Sequence, residues 1–171
     1  MTVSVWQRLD LAGRSLAPAA VTVMLVLVGM VPLTIPGYAR VVPALALMSV
    51  YYWAIHRPDL VRPSAAFAIG LLQDLLSGTP LGMTALVLVL CHWVVMSQRA
   101  FFMANSFALL WTGFAFIVLG GAFVQWLAYS VLSLRVVPFL APLAQALLTL
   151  ALFPVFAWLF IRVHRAFLKE V

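Results

Sequence analysis

Apolar positions in this chain run in long unbroken stretches rather than alternating with polar ones, and each stretch stops at a charge, a proline or a glycine. Crossing roughly 30 Å of hydrocarbon takes about 20 helical residues, and six candidate helices meet that pattern. They cover about 15–36, ending at Pro36-Gly37; about 41–55, ending at His56-Arg57-Pro58-Asp59; about 63–76 and about 80–98, joined by Ser77-Gly78-Thr79; about 104–132; and about 138–163, after Arg135 and Pro138. The pattern predicts an all-α membrane protein: a six-transmembrane-helix bundle forming one integral membrane domain over 1–171, with no soluble domain. The spans are unequal. At 1.5 Å per residue the second and third reach only about 21–23 Å, while the fifth is long enough to tilt or to break at Gly120-Gly121. Backbone at the ends of short spans must be covered by protein or by a water-filled cavity, because lipid cannot satisfy it.

Composition turns this pattern into a choice of solvent. Hydrophobic residues make up 66% of the chain and charged ones 8%, against roughly 25% charged in a soluble domain. The net charge of +6 does not point to nucleic acid, which calls for basic residues clustered on one face. Here they stand singly between apolar runs, as topology signals do, and face anionic lipid headgroups. Arg8 and Arg14 precede an apolar stretch of about twenty residues followed by further spans, which reads as a retained first helix rather than a cleaved signal.

Alternate loops carry unequal charge. Arg8, Arg14, Arg57, Arg62, Arg99, Arg162, Arg165 and Lys169 fall on one side, and only Arg40 and Arg135 on the other. Basic residues are retained in the cytoplasm, so both termini are expected there. Tyr52, Trp53, Trp93, Trp111 and Trp158 fall at the inner helix ends and Trp126 and Tyr129 at an outer one, where headgroup-level aromatics are expected.

Asp74 is the most informative single residue, since an acid well inside a bilayer costs a few kcal/mol. Two readings stand side by side: a buried polar anchor or ligand group, or a partly wet interfacial carboxylate accepting turn hydrogen bonds. The turn after it has a purely structural account. Gly78 suits the left-handed position after a helix, Thr79 a cap of the next helix and Pro80 its first turn, with Gly82 allowing close approach of the third and fourth helices. Ala66, Gly70, Asp74 and Gly78 recur every fourth residue and form a small-residue stripe suited to close packing, with an internal helix as the expected partner.

Other chemistry is sparse. Arg57 and Asp59 suit a rim ion pair. His56, His92 and His164 lie on separate segments without neighbouring ligands, and Cys91 stands alone, so no metal site is expected. Asp59 and Asp74 belong to opposite sides and cannot share a proton as an aspartyl-protease dyad does. The remaining acids, Asp10 and Glu170, are terminal, which leaves no carboxylate cluster for Mg²⁺ chemistry. No catalytic or cofactor-binding set emerges.

The stretch YYWAIHRPDLVRPSAAFAIGLLQDLLSGTPLGMTAL, Tyr51 to Leu86, resembles the signature region of the rod shape-determining protein MreD family. The likeness rests on the aromatic helix end at Tyr52-Trp53, then Pro58, then Ala66-Phe67 and the pattern Gly70-Leu71-x-x-Asp74-x-x-x-Gly78-x-x-Leu81-Gly82; Ser77, Thr79 and Pro80 fall within this candidate partner-binding or structural motif, and Gln73 is polar where the pattern is mostly apolar. The resemblance implies a non-catalytic scaffold of the cell-elongation complex that binds MreC. Through that complex it would act with RodA and an elongation-specific transpeptidase, and the implied partners extend to MreB. It also implies a fold similar to the S-component of energy-coupling-factor transporters. The alternative from that fold is a vitamin-binding transporter subunit, which calls for a polar pocket open to the outside.

Overall fold

A computed structural model of the chain describes residues 18–30, 42–103 and 107–167, with side chains in the last stretch to residue 162. The expected first-helix limits at 15 and 36, the Pro36-Gly37 stop, and Arg8, Arg14, Arg40 and Lys169 lie outside the described residues. Those residues form seven helices: α1 Pro18–Gly29, α2 Leu45–His56, α3 Pro63–Ser77, α4 Met83–Ser97, α5 Arg99–Met103, α6 Phe107–Ser133 and α7 Leu140–Phe167. No strand occurs among them.

Local chemistry sets several boundaries. α2 stops at Arg57, which is held out of the helical region because a proline follows it. α3 begins with Pro63, whose missing N–H costs nothing in a first turn, and stops at Gly78 in the left-handed region, φ 66°. The fourth helix does not begin at Pro80. It starts at Met83, because Gly82 adopts φ +96° and stands as the residue before the helix. The long α6 runs unbroken through Gly120-Gly121, so the break considered there does not occur, and α7 likewise continues through Pro154.

The short α5 corrects the reading of 99–103 as a loop. Arg99 Nε donates to the carbonyl of Ile55 at 3.0 Å, satisfying an acceptor at the end of α2. Phe102 is buried edge-on against Tyr51, with ring centres 5.9 Å apart. Both contacts are long-range, so local periodicity carried no trace of them.

α2 sits at the centre. Every residue from Leu45 to Ile55 is buried, packed by α4 and α7 and more lightly by α3 and α5. A helix apolar on all sides belongs inside other protein, which answers how a 12-residue helix about 18 Å long is accommodated. This corrects the placement of Tyr52 and Trp53 at headgroup level: both are core residues, 5% and 1% exposed, because neighbouring helices close over that end of α2. Tyr51 donates to the Leu110 carbonyl at 2.8 Å and meets Phe114 and Phe153, which stack 4.2 Å apart.

The periphery is the opposite. α6 and the 140–162 part of α7 are long and apolar enough to cross a membrane, and they pack on each other while turning Phe116, Leu132, Leu140 and Val155 outward. So much exposed apolar surface suits lipid rather than water. Among the described residues these are the two helices that reach spanning length; α1 and α4 are shorter apolar helices. Trp93, Trp158 and Tyr129 are exposed, and the guanidinium of Arg162 lies 4.0 Å over the Trp158 ring.

Candidate functional site

α3 and α4 form the most closely packed pair in the bundle, and the reason is Gly70. A side chain there would collide with the backbone of Ala85, so glycine is what lets the two helix axes meet. The small-residue stripe therefore faces an internal helix, with Ala66 and Ala85 fully buried beside it. Gly82, expected to serve the same purpose, does not: a Cβ on it would meet nothing within 4 Å. Its role is conformational, through the positive φ that turns the chain into α4.

Asp74 is completely buried although Leu75 to Leu81 around it are exposed. Its carboxyl group is fully engaged. Oδ1 accepts from Thr79 Oγ1 at 3.0 Å, Oδ2 from the Gly82 N–H at 2.9 Å, and the Thr84 N–H lies 3.1 and 3.2 Å from the two oxygens. The backbone donors belong to the start of α4, where N–H groups have no partner within their own helix. One side chain from the last turn of α3 thus does for α4 what an N-cap residue would do, from eight and ten residues upstream.

Asp74 is thus buried rather than partly wet, and it accepts the turn hydrogen bonds that the interfacial reading assigned to it. The arrangement also corrects the role of Thr79, whose hydroxyl is turned back to Asp74 instead of capping α4. Gly78 takes the left-handed turn position expected of it, and Ser77 donates to the Gln73 carbonyl at 2.6 Å. Pro80 accepts from the Met83 N–H at 3.3 Å, and Leu81 projects outward, 66% exposed. Gly70, Asp74, Ser77, Gly78, Thr79, Pro80, Leu81 and Gly82 are therefore one hairpin. Tyr52, Trp53 and Pro58 are not part of it; they belong to α2 and the turn that follows it.

At that second turn, Arg57 Nε and Nη2 donate to the two oxygens of Asp59 at 3.3 and 3.1 Å. The side chains are 35% and 57% exposed. The Arg57 hydrogen bond holds the Asp59 carboxyl below its ordinary range. His92 Nε2 lies 2.8 Å from the Val61 carbonyl; a carbonyl can only accept, so Nε2 carries the proton. His92 is thereby a buried strut between α4 and this turn. Its signal, a histidine within an apolar helix, was visible, but its partner was not. Among the described residues no group of three His, Cys, Asp or Glu side chains could hold a metal ion.

Comparison with known proteins gives a family model, described as rod shape-determining protein MreD, that matches residues 12–165. No curated protein and no solved structure matches the chain.

Proposed function

Because the chain belongs to the MreD family of rod shape-determining proteins, we propose that it is a non-catalytic membrane scaffold of the cell-elongation complex and that the α3–α4 hairpin is its contact surface for MreC. The observation that carries this reading is the clamped turn. A buried acid braces a tight loop, and the hairpin around it offers Leu75 and Leu76 from the end of α3, Leu81 from the loop and Leu86 from the start of α4, all substantially exposed. A fixed apolar ridge loses little conformational freedom when it is covered, and it suits a transmembrane helix together with the segment adjoining it.

In this reading the chain crosses a bacterial inner membrane six times, the short α2 sheltered by α4 and α7 and the short α3 backed by α4. The distribution of basic residues supports cytoplasmic termini, and the hairpin turn then lies on the outer side. RodA and the elongation-specific transpeptidase are reached through MreC. Photo-crosslinking residues placed at Leu81 and Leu86 in living cells are expected to capture MreC, while the same residue at Phe116 on the far surface of α6 is expected to capture none. Capture from Phe116 but from neither hairpin position would move the contact elsewhere; absence of capture from the whole surface would remove the scaffold reading itself.

A further inference from the structure

Pro154 lies inside α7, and the helix carries a defect there. Proline has no N–H, so the carbonyl of Leu150, four residues earlier, loses the donor that closes a regular helical turn, and the proline ring crowds that same carbonyl. In a membrane helix no water replaces the missing donor, and neighbouring protein must supply one. Trp111 of α6 does so: its indole Nε1–H donates to the Leu150 carbonyl at 3.2 Å. An indole nitrogen can only donate, and the carbonyl it meets is the one that Pro154 releases.

α7 is anchored on both sides of the defect. Toward its start, Gln145 Nε2 donates to the Val42 carbonyl at 2.8 Å, and Thr149 Oγ1 accepts from the Ala44 N–H at 3.0 Å. These bonds fasten that segment to the beginning of α2. Toward its end, Phe160 is fully buried, with its ring centre 5.2 Å from that of Tyr52 and 6.3 Å from that of Trp53. The second segment is thereby seated against the other end of α2. Between the two, Phe153 stacks on Phe114 of α6 at 4.2 Å, while Pro154 itself is exposed.

We propose that α7 is a jointed helix and that Trp111 is the latch of its joint: the indole N–H stands in for the N–H that Pro154 lacks and sets how the two segments meet. The proposal goes beyond the scaffold reading and does not depend on it. With the latch closed, the segment after Pro154 keeps Phe160 against Tyr52 and Trp53. With it open, the Leu150 carbonyl loses its donor from α6 and the joint gains freedom to bend. A shift of α6 against α7 would thus reach the end of α2 through one hydrogen bond.

The test is a double-mutant cycle on the full chain in detergent, read by the thermal unfolding midpoint and by amide exchange over residues 150–158. Trp111→Phe keeps an aromatic ring and removes the donor. In the otherwise unaltered chain it is expected to lower the midpoint by about 2–4 °C, the shift for one neutral hydrogen bond in a protein of this size, and to speed exchange across the joint about fivefold. Pro154→Ala restores a backbone N–H to Leu150, so adding Trp111→Phe to it is expected to leave both readings where Pro154→Ala alone sets them. This separates the latch from packing, because lost ring contacts alone would cost the same in either background. Where Trp111→Phe by itself does not fold, recovery of folded protein on adding Pro154→Ala supports the latch. A neutral Trp111→Phe, equal losses in both backgrounds, or a double variant that fails to fold where Pro154→Ala folds would overturn it.

Discussion

Two turns of this molecule each contain one aspartate, and they treat it in opposite ways. In the α2–α3 turn, Asp59 is exposed and shares one arginine with the solvent. In the α3–α4 turn, Asp74 is fully buried and accepts three donors, two of them the backbone N–H groups of Gly82 and Thr84. The lesson concerns what a carboxyl group does for the chain around it. Asp59 decorates a turn already determined by Pro58 and Pro63; exposed pairs of this kind contribute about 0–1 kcal/mol. Asp74 braces its turn, since it is the acceptor for the Gly82 and Thr84 N–H groups at the start of α4.

The comparison is tested most severely by Asp74→Leu. Two partly buried N–H groups lose their acceptor, and each costs at most the roughly 1–3 kcal/mol of a fully buried one, so a loss of about 1–4 kcal/mol is expected. It should appear as a large drop in unfolding midpoint in detergent and as faster amide exchange at Gly82 and Thr84. Unaltered exchange at both would show that the acid is not their partner in solution. Asp74→Asn keeps one acceptor oxygen but turns an N–H against a facing donor; about 1–3 kcal/mol should be lost, less than with leucine.

How much of this was legible in the sequence differs between the same two turns. Gly78 in the left-handed position and Pro63 at a helix start follow from local rules, and both stand in the structure as expected. The stripe of Ala66, Gly70, Asp74 and Gly78 indicated close packing on an internal helix, which holds for its first three members, whereas Gly78 is exposed and a Cβ there would meet nothing. The wiring of Asp74 was not legible, because its partners lie five to ten residues away across a turn whose geometry depends on them. Thr79 and Pro80 look like a helix start by local criteria, but the Thr79 hydroxyl turns back to Asp74 and the positive φ of Gly82 puts that start at Met83. The burial of Tyr52 and Trp53 was hidden for a related reason: an aromatic pair at a helix end reads as interfacial until the neighbours that cover it are known.

Gly82→Ala separates backbone conformation from hydrogen bonding. Its Cβ would meet nothing, so only the positive φ is disturbed, at about 1–2 kcal/mol; a neutral result would mean that the turn relaxes around Asp74. The smallest effect is expected for Asp59→Asn. The native Asp59 carboxyl is held low by its Arg57 hydrogen bond, so whatever stability the pair adds is present at neutral pH and is lost as pH falls below the ordinary 3.8 through the lower native value. Because the pair is largely wet, the unfolding midpoint at pH 7 should change by no more than the equivalent of about 0–1 kcal/mol. A larger change would erase the contrast between the two turns.

Cell shape joins the two turns to the proposed function in one measurement. Cells lacking the native gene are supplied with Asp74→Leu or with Asp59→Asn, expression is adjusted until both proteins are present in the membrane at the level of the unaltered chain, and cell length and width are measured. The rigid α3–α4 hairpin predicts rounded cells with Asp74→Leu and rods with Asp59→Asn. Rods of normal dimensions with Asp74→Leu at matched level would contradict the claim that this buried acid holds the surface on which rod shape depends.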